Sequence, residues 1–144
     1  QTEAWKNTLF ILVADHGSNK PGGDPVYAIE KYKIPMIWLG GAVKLGCMVI
    51  DDYGSQVDIA KTLLNQLKLN SAEFIFSQDL FDTTGNRFGY YAFNDGFAYI
   101  ENNSAVIFDN ANGDLLYQSG NNTDSTLIKG KAFLQKSSFD FQNR

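Results

Sequence analysis

The sequence predicts an α/β chain: buried strands of parallel type and one helix, then a small antiparallel meander and a C-terminal helix. Three observations predict it. Thr8 to Ala14 and Ile34 to Leu39 are short apolar runs without alternation, the pattern of strands covered on both faces. Val57, Ile59, Ala60, Leu63, Leu64 and Leu67 recur at helical spacing. From Phe88 to Gln118, strand-length runs rich in Tyr and Phe are divided by Asn, Asp and Gly, as in an antiparallel meander.

The first strand stops at Asp15-His16-Gly17, and polar residues at the end of a buried strand are where open α/β sheets place ligands. Ser18 to Asp24, with Pro21, Gly22 and Gly23, reads as an irregular loop. Val26 to Lys33 is a short helix or an extended segment. The second strand has Pro35 near its start, where a missing donor is tolerated, and ends at Gly40-Gly41. Met48 to Asp51 is a candidate third strand. Ser55 is a good N-cap for the amphipathic helix, and Asp58 three residues later completes an Asp version of the capping box. That helix stops near Leu67, before Asn70. Asn94-Asp95-Gly96, Asn102-Asn103 and Asn110 to Asp114 divide the meander. Leu127, Ile128, Ala132, Phe133 and Leu134 then place a helix over Ser125 to Phe141. The expected division is an α/β portion over 1–70 and a small sheet-plus-helix portion over 71–144. Two strands and one helix are too few for a doubly wound domain, and Gln1 to Trp5 reads as the middle of a chain. The sequence is therefore expected to be a piece of a larger protein.

Composition narrows the function classes. Of 144 residues, 12 are Lys or Arg and 16 are Asp or Glu, a net charge of −4. There is no basic surplus to neutralise phosphates along a nucleic acid or to hold an anionic membrane. The lone cysteine, Cys47, excludes an internal disulfide and a thiolate zinc cluster. The lone histidine, His16, excludes a multi-histidine metal site within this sequence.

Asp15 and His16 are the constellation with chemical content. A carboxylate and a neutral imidazole suit divalent ions. Neighbours on a strand point to opposite faces, so both reach one ion only if the strand ends there and the backbone turns, a freedom Gly17 is expected to supply. Two ligands are half of a four-coordinate set, so the others must come from elsewhere. The plainer alternative is a strand-end Asp capping a loop beside a hydrogen-bonded histidine. Lys20 is either a contact for an anionic substrate group or a solvated loop lysine. Cys47, with apolar Leu45, Met48 and Val49 nearby and no second histidine to activate it, reads as an inert packing residue. Asp51, Asp52 and Asp58 offer carboxylates, and Asp58 suits the positive end of the helix dipole. The aromatics from Phe88 to Phe97 are a half-buried sheet face or a sugar or base platform.

Three ordered motifs resemble a family. They are Val13-Ala14-Asp15-His16-Gly17, then Lys33-Ile34-Pro35-Met36-Ile37-Trp38-Leu39-Gly40-Gly41, then Gly54-Ser55-Gln56-Val57-Asp58-Ile59-Ala60-Lys61-Thr62-Leu63-Leu64. Their order and spacing are similar to the C-terminal part of sulfatase-like proteins of the alkaline phosphatase superfamily, above all the lipoteichoic acid synthase-like branch of phosphoglycerol transferases. The third motif is the most specific, although the family usually carries Pro where Lys61 stands. The resemblance implies that Asp15 and His16 ligate a divalent cation, manganese first, with zinc, magnesium or calcium as alternatives. It implies a two-step transfer in which an activated hydroxyl attacks phosphorus or sulfur and the metal stabilises the developing charge. The nucleophile and the phosphate-holding residues of the family lie upstream, and none is matched here. Thr8 and Thr62 sit in the wrong motifs, and Cys47 lacks the Cys/Ser-x-Pro-x-Arg pattern of true sulfatases. The sequence is thus expected to supply metal ligands to a phosphodiester- or sulfate-ester-processing enzyme while being inactive alone. Its partner would be the upstream part of the same polypeptide. The family places that enzyme on the extracytoplasmic face of the membrane or in the periplasm, anchored by upstream spans. The competing expectations are an arylsulfatase-type hydrolase fragment and a non-catalytic glycan- or partner-binding module using the aromatic meander.

Overall fold

The computed structural model describes residues 2–18, 22–44, 46–82, 84 and 87–144. The chain divides into two compact units, Gln1–Ile50 and Asp51–Arg144. The division expected after residue 70 followed the family motifs. By packing, the amphipathic helix goes with the meander, for reasons its hydrogen bonds make plain below.

The first unit holds a helical turn, α1 (Glu3–Lys6), and two strands, β1 (Phe10–Val13) and β2 (Met36–Leu39). The Thr2 hydroxyl caps α1 by accepting from the Trp5 N–H. Trp5 stacks on Phe10 with ring centroids 5.6 Å apart. The Val26–Lys33 segment resolves as a 3-10 helix over Ile29–Tyr32. The expected parallel pairing is corrected: β1 and β2 are antiparallel, from Phe10 opposite Leu39 to Val13 opposite Met36. A parallel pair needs a crossover, usually a helix of several turns, and the described residues between these strands hold only that 3-10 helix. The expected burial on both faces is corrected too, since Leu12 and Ile37 are each 54% exposed. Met48 to Asp51 forms no strand and is exposed.

The second unit holds α2 (Asp58–Gln66), the strands β3 (Phe88–Phe93), β4 (Gly96–Glu101), β5 (Ser104–Asp109) and β6 (Asp114–Gly120), and α3 (Thr123–Gln142). The four strands form one antiparallel sheet in sequence order, as the meander reading expects. Two-residue turns at Asn94-Asp95 and Asn102-Asn103 join the first three strands, with Phe93 opposite Gly96 and Glu101 opposite Ser104. A register shift at Ile107/Phe108 bends the last pair.

Here the apolar runs are covered on both faces. Phe97, Tyr99, Val106 and Phe108 point toward α3 and form the core with Phe88, Tyr90, Leu127, Phe133 and Leu134. Ala98, Ile100, Ala105 and Ile107, on the opposite face, are also buried. Helix α3 lies close because Gly130 faces the sheet. A Cβ at that position would overlap the Phe97 ring and come 3.0 Å from the Tyr99 Cβ. Ile128, counted with the apolar face in sequence, is exposed. The aromatics Phe88, Tyr90 and Phe97 are therefore core, not a ligand platform. Burial pushes the Tyr90 and Tyr99 phenols up to about 12.

Candidate functional site

Strand β1 leaves its ladder after Val13, so Asp15 and His16 lie beyond the alternation that would separate them. Asp15 Oδ1 accepts from the His16 backbone N–H at 3.0 Å, which turns the carboxylate back toward its neighbour. The His16 Nδ1 stands 2.7 Å from the Gly17 carbonyl oxygen. A carbonyl only accepts, so Nδ1 carries the proton, and in the neutral ring Nε2 presents its lone pair. That Nε2 is 3.6 Å from Asp15 Oδ2, and both side chains are open to solvent, at 81% and 88% exposed.

Gly17 has a different role from the one expected. Its φ is not positive. What it supplies is room: a Cβ there would overlap the Lys31 carbonyl oxygen and stand 3.0 Å from the Tyr32 Cα. The Asp15–Gly17 turn is thereby seated against the 3-10 helix.

The pair fits a divalent cation in donor chemistry and in spacing. Two ligand atoms each about 2.1 Å from one ion stand roughly 3.0–3.4 Å apart in octahedral or tetrahedral geometry. A separation of 3.6 Å needs only a small adjustment. A backbone carbonyl that fixes the other ring nitrogen is the usual support of a metal-binding histidine. The described residues contain no group of three or more His, Cys, Asp and Glu side chains placed to hold an ion.

The other candidates separate from this pair. Lys20 lies outside the described residues. Cys47 is exposed, which corrects the packing role expected for it: Met48 and Val49 beside it are exposed as well, so there is no core there to join. Asp51 and Asp52 are exposed, and Asp52 stands 3.6 Å from the Arg87 guanidinium.

Asp58 is fully buried and does more than complement the helix dipole. Its Oδ2 accepts from the Ser55 N–H and its Oδ1 from the Gln78 N–H, both at 2.7 Å. Burial raises its carboxyl above the ordinary value, opposed by the Gln78 and Ser55 hydrogen bonds and the Arg87 charge. The expected capping box is thus half formed. The Ser55 hydroxyl turns away from the helix, accepting from the Tyr90 N–H at 3.0 Å and standing 3.2 Å from the Tyr90 carbonyl. The Gln78 amide extends the edge of β3 in the manner of a strand, donating to the Phe88 carbonyl at 2.9 Å and accepting from the Phe88 N–H at 3.2 Å. Thr62, also buried, accepts from the Leu80 N–H and donates to the Asp58 carbonyl. The most specific motif in the sequence is therefore scaffold: Ser55, Asp58 and Thr62 fasten α2 to the loop over 77–82 and to β3. Sequence reasoning missed Gln78, whose partners lie ten and twenty positions away.

No helix among the described residues is long and apolar enough to cross a membrane. Neither a family model nor a curated protein sequence matches the chain. A crystal structure of a protein in the alkaline phosphatase superfamily from Vibrio parahaemolyticus does match in fold. Its TM-score is 0.76 at 19% identity, over 99% of this chain and 37% of that one. The α/β architecture with its meander and terminal helix is thus a fold shared with part of that structure. This chain spans little more than a third of the length of that structure.

Proposed function

We propose that the chain is the C-terminal, metal-ligating portion of a phosphoglycerol transferase of the alkaline phosphatase superfamily, with Asp15 and His16 as two ligands of a divalent cation, manganese first. The observation that carries this reading is the meeting of the Nε2 lone pair and the Asp15 carboxylate at 3.6 Å beyond the end of β1. The fold likeness supports the superfamily, and the three motifs support the branch.

In this reading the ion, when bound, stabilises charge on a phosphoryl or sulfuryl group under attack. Asp15 supplies an anionic oxygen. His16 supplies Nε2, held in the binding tautomer by the Gly17 carbonyl. Binding needs the Nε2 lone pair free of a proton. The nucleophile, the remaining ligands and the phosphate-holding groups come from the upstream part of the polypeptide, which also carries the membrane spans that put the site on the extracytoplasmic face. The exposed apolar residues Leu12, Val13 and Ile37 on β1 and β2 suit a sheet that gains cover from such a part. Sulfate-ester hydrolysis is the alternative chemistry, decided by whether the nucleophile is a threonine or a formylglycine.

The chain alone, given manganese and either a phosphodiester or an aryl sulfate, should show no turnover. Turnover that Asp15→Ala abolishes would overturn that expectation. In the longer protein, Asp15→Ala should remove bound metal and activity together, and retention of both rejects the assignment.

A further inference from the structure

A cleft of about 310 Å³ opens in the second unit where the β4–β5 turn meets the junction of β6 and α3. Asn102 and Asn103 line it from the turn and Asn121 and Asn122 from the junction. The two sides are tied by the Asn121 N–H, which donates to the Asn103 carbonyl at 3.1 Å. Asn122 takes a left-handed conformation, φ 62°, and its side chain does not cap α3. All four asparagines are exposed, so their side-chain amides are open to water and to a ligand.

The wall of the cleft is built and its charges are internally paired. Buried Thr126 is 2.8 Å from the Ser104 hydroxyl and 3.2 Å from Glu101 Oε2. Glu101 also holds Lys129 at 2.7 Å. Arg87, only 5% exposed, gives its Nε and Nη2 to the Asp82 carbonyl; its buried Nη1 lies 3.6 Å from Asp52 and makes no hydrogen bond, so a ligand hydroxyl can accept from it.

We infer that this cleft binds a small neutral polyol of monosaccharide size. Each ligand class meets a different obstacle or match. An anion would meet the Glu101 carboxylate, and a cation would meet Lys129 and Arg87. An apolar ligand would strip water from the amides and return no hydrogen bonds. A hydroxyl both donates and accepts, and so does a side-chain amide, so a ligand dense in hydroxyls can satisfy the four amides together. The volume lies at the lower end of ligand sites, which limits the ligand to a single small unit. The site is independent of the cation pair and would stand if that proposal fell.

The test is an NMR titration of the ¹⁵N-labelled chain with glycerol, glucose, galactose, N-acetylglucosamine and myo-inositol, one at a time. Inorganic phosphate and acetate serve as charged comparators. At least one polyol should shift the side-chain amides of Asn102, Asn103, Asn121 and Asn122 in a saturable way. Asn103→Ala and Asn121→Ala, on opposite sides of the cleft, should each weaken that binding about tenfold while the core resonances stay in place. The inference is overturned if no polyol saturates, if phosphate or acetate saturates the site and the polyols do not, or if both variants bind as the parent does.

Discussion

The two compact units use their apolar residues in opposite ways. In the first, the runs Phe10–Val13 and Met36–Leu39 form a two-stranded ladder whose Leu12 and Ile37 stand more than half exposed. In the second, β4 and β5 carry similar unbroken runs and are buried on both faces, with Phe97 and Val106 fully enclosed. The candidate chemistry, Asp15 and His16, sits on the open unit. The most specific motif, around Asp58, sits in the closed one and is structural. Scaffold and candidate site are thus separate along the chain, and a motif's specificity does not mark it as the chemical one.

The sharpest way to break this comparison is a matched pair of truncations. Ile107→Ala, at a position 2% exposed, should cost about 2–5 kcal/mol in urea unfolding, since it opens a cavity in a close-packed sheet. Ile37→Ala, at a position 54% exposed, should cost less than about 1 kcal/mol. Equal losses would mean that the first unit is packed as tightly as the second. Next in size is Asp58→Ala, expected to cost about 2–3 kcal/mol: it strands the half-buried Ser55 and Gln78 N–H groups, while removal of a buried charge offsets part of the loss. Wild-type stability in that variant would remove Asp58 as the fastening of α2.

A smaller effect is the pH dependence of the same group. Folded Asp58 keeps its proton to higher pH than the unfolded chain does. Its contribution is therefore fully present below the ordinary value of 3.8 and is lost as pH rises through the raised folded value. The difference between the parent and Asp58→Asn unfolding free energies should fall as pH rises from 3.8 and then level. A difference that grows over that window would mean that the hydrogen bonds outweigh burial. Smallest of all, Asp15→Ala and His16→Gln should leave the unfolding midpoint unchanged, because both side chains are exposed.

Much of the architecture was legible because it is local. The 3.6-residue period of α2, the turn residues at Asn94-Asp95 and Asn102-Asn103, and the strand runs between them lie within short windows. The direction of β1 against β2 was not legible, because an unbroken apolar run reports coverage of a strand and carries nothing about its partner's direction. Coverage itself was assigned to the wrong strands: β1 and β2 read as covered on both faces and stand partly open, while β4 and β5, read only as strands of a meander, are the ones enclosed on both faces. The Ser55 hydroxyl could not be placed either, since its partner Tyr90 is 35 positions away. At the candidate site, the neighbouring Asp15 and His16 were visible in sequence. The carbonyl that sets the His16 tautomer, and the seat of Gly17 against Lys31 and Tyr32, belong to the folded backbone and were not.

The most direct measurement is paramagnetic broadening of the ¹⁵N-labelled chain by substoichiometric Mn²⁺, which registers weak occupancy. If Asp15 and His16 hold the cation, the resonances of Ala14 to Gly17 disappear first and persist in both Asp15→Ala and His16→Gln. Broadening that begins elsewhere, such as around Asp51 and Asp52, or that survives both substitutions, contradicts the assignment.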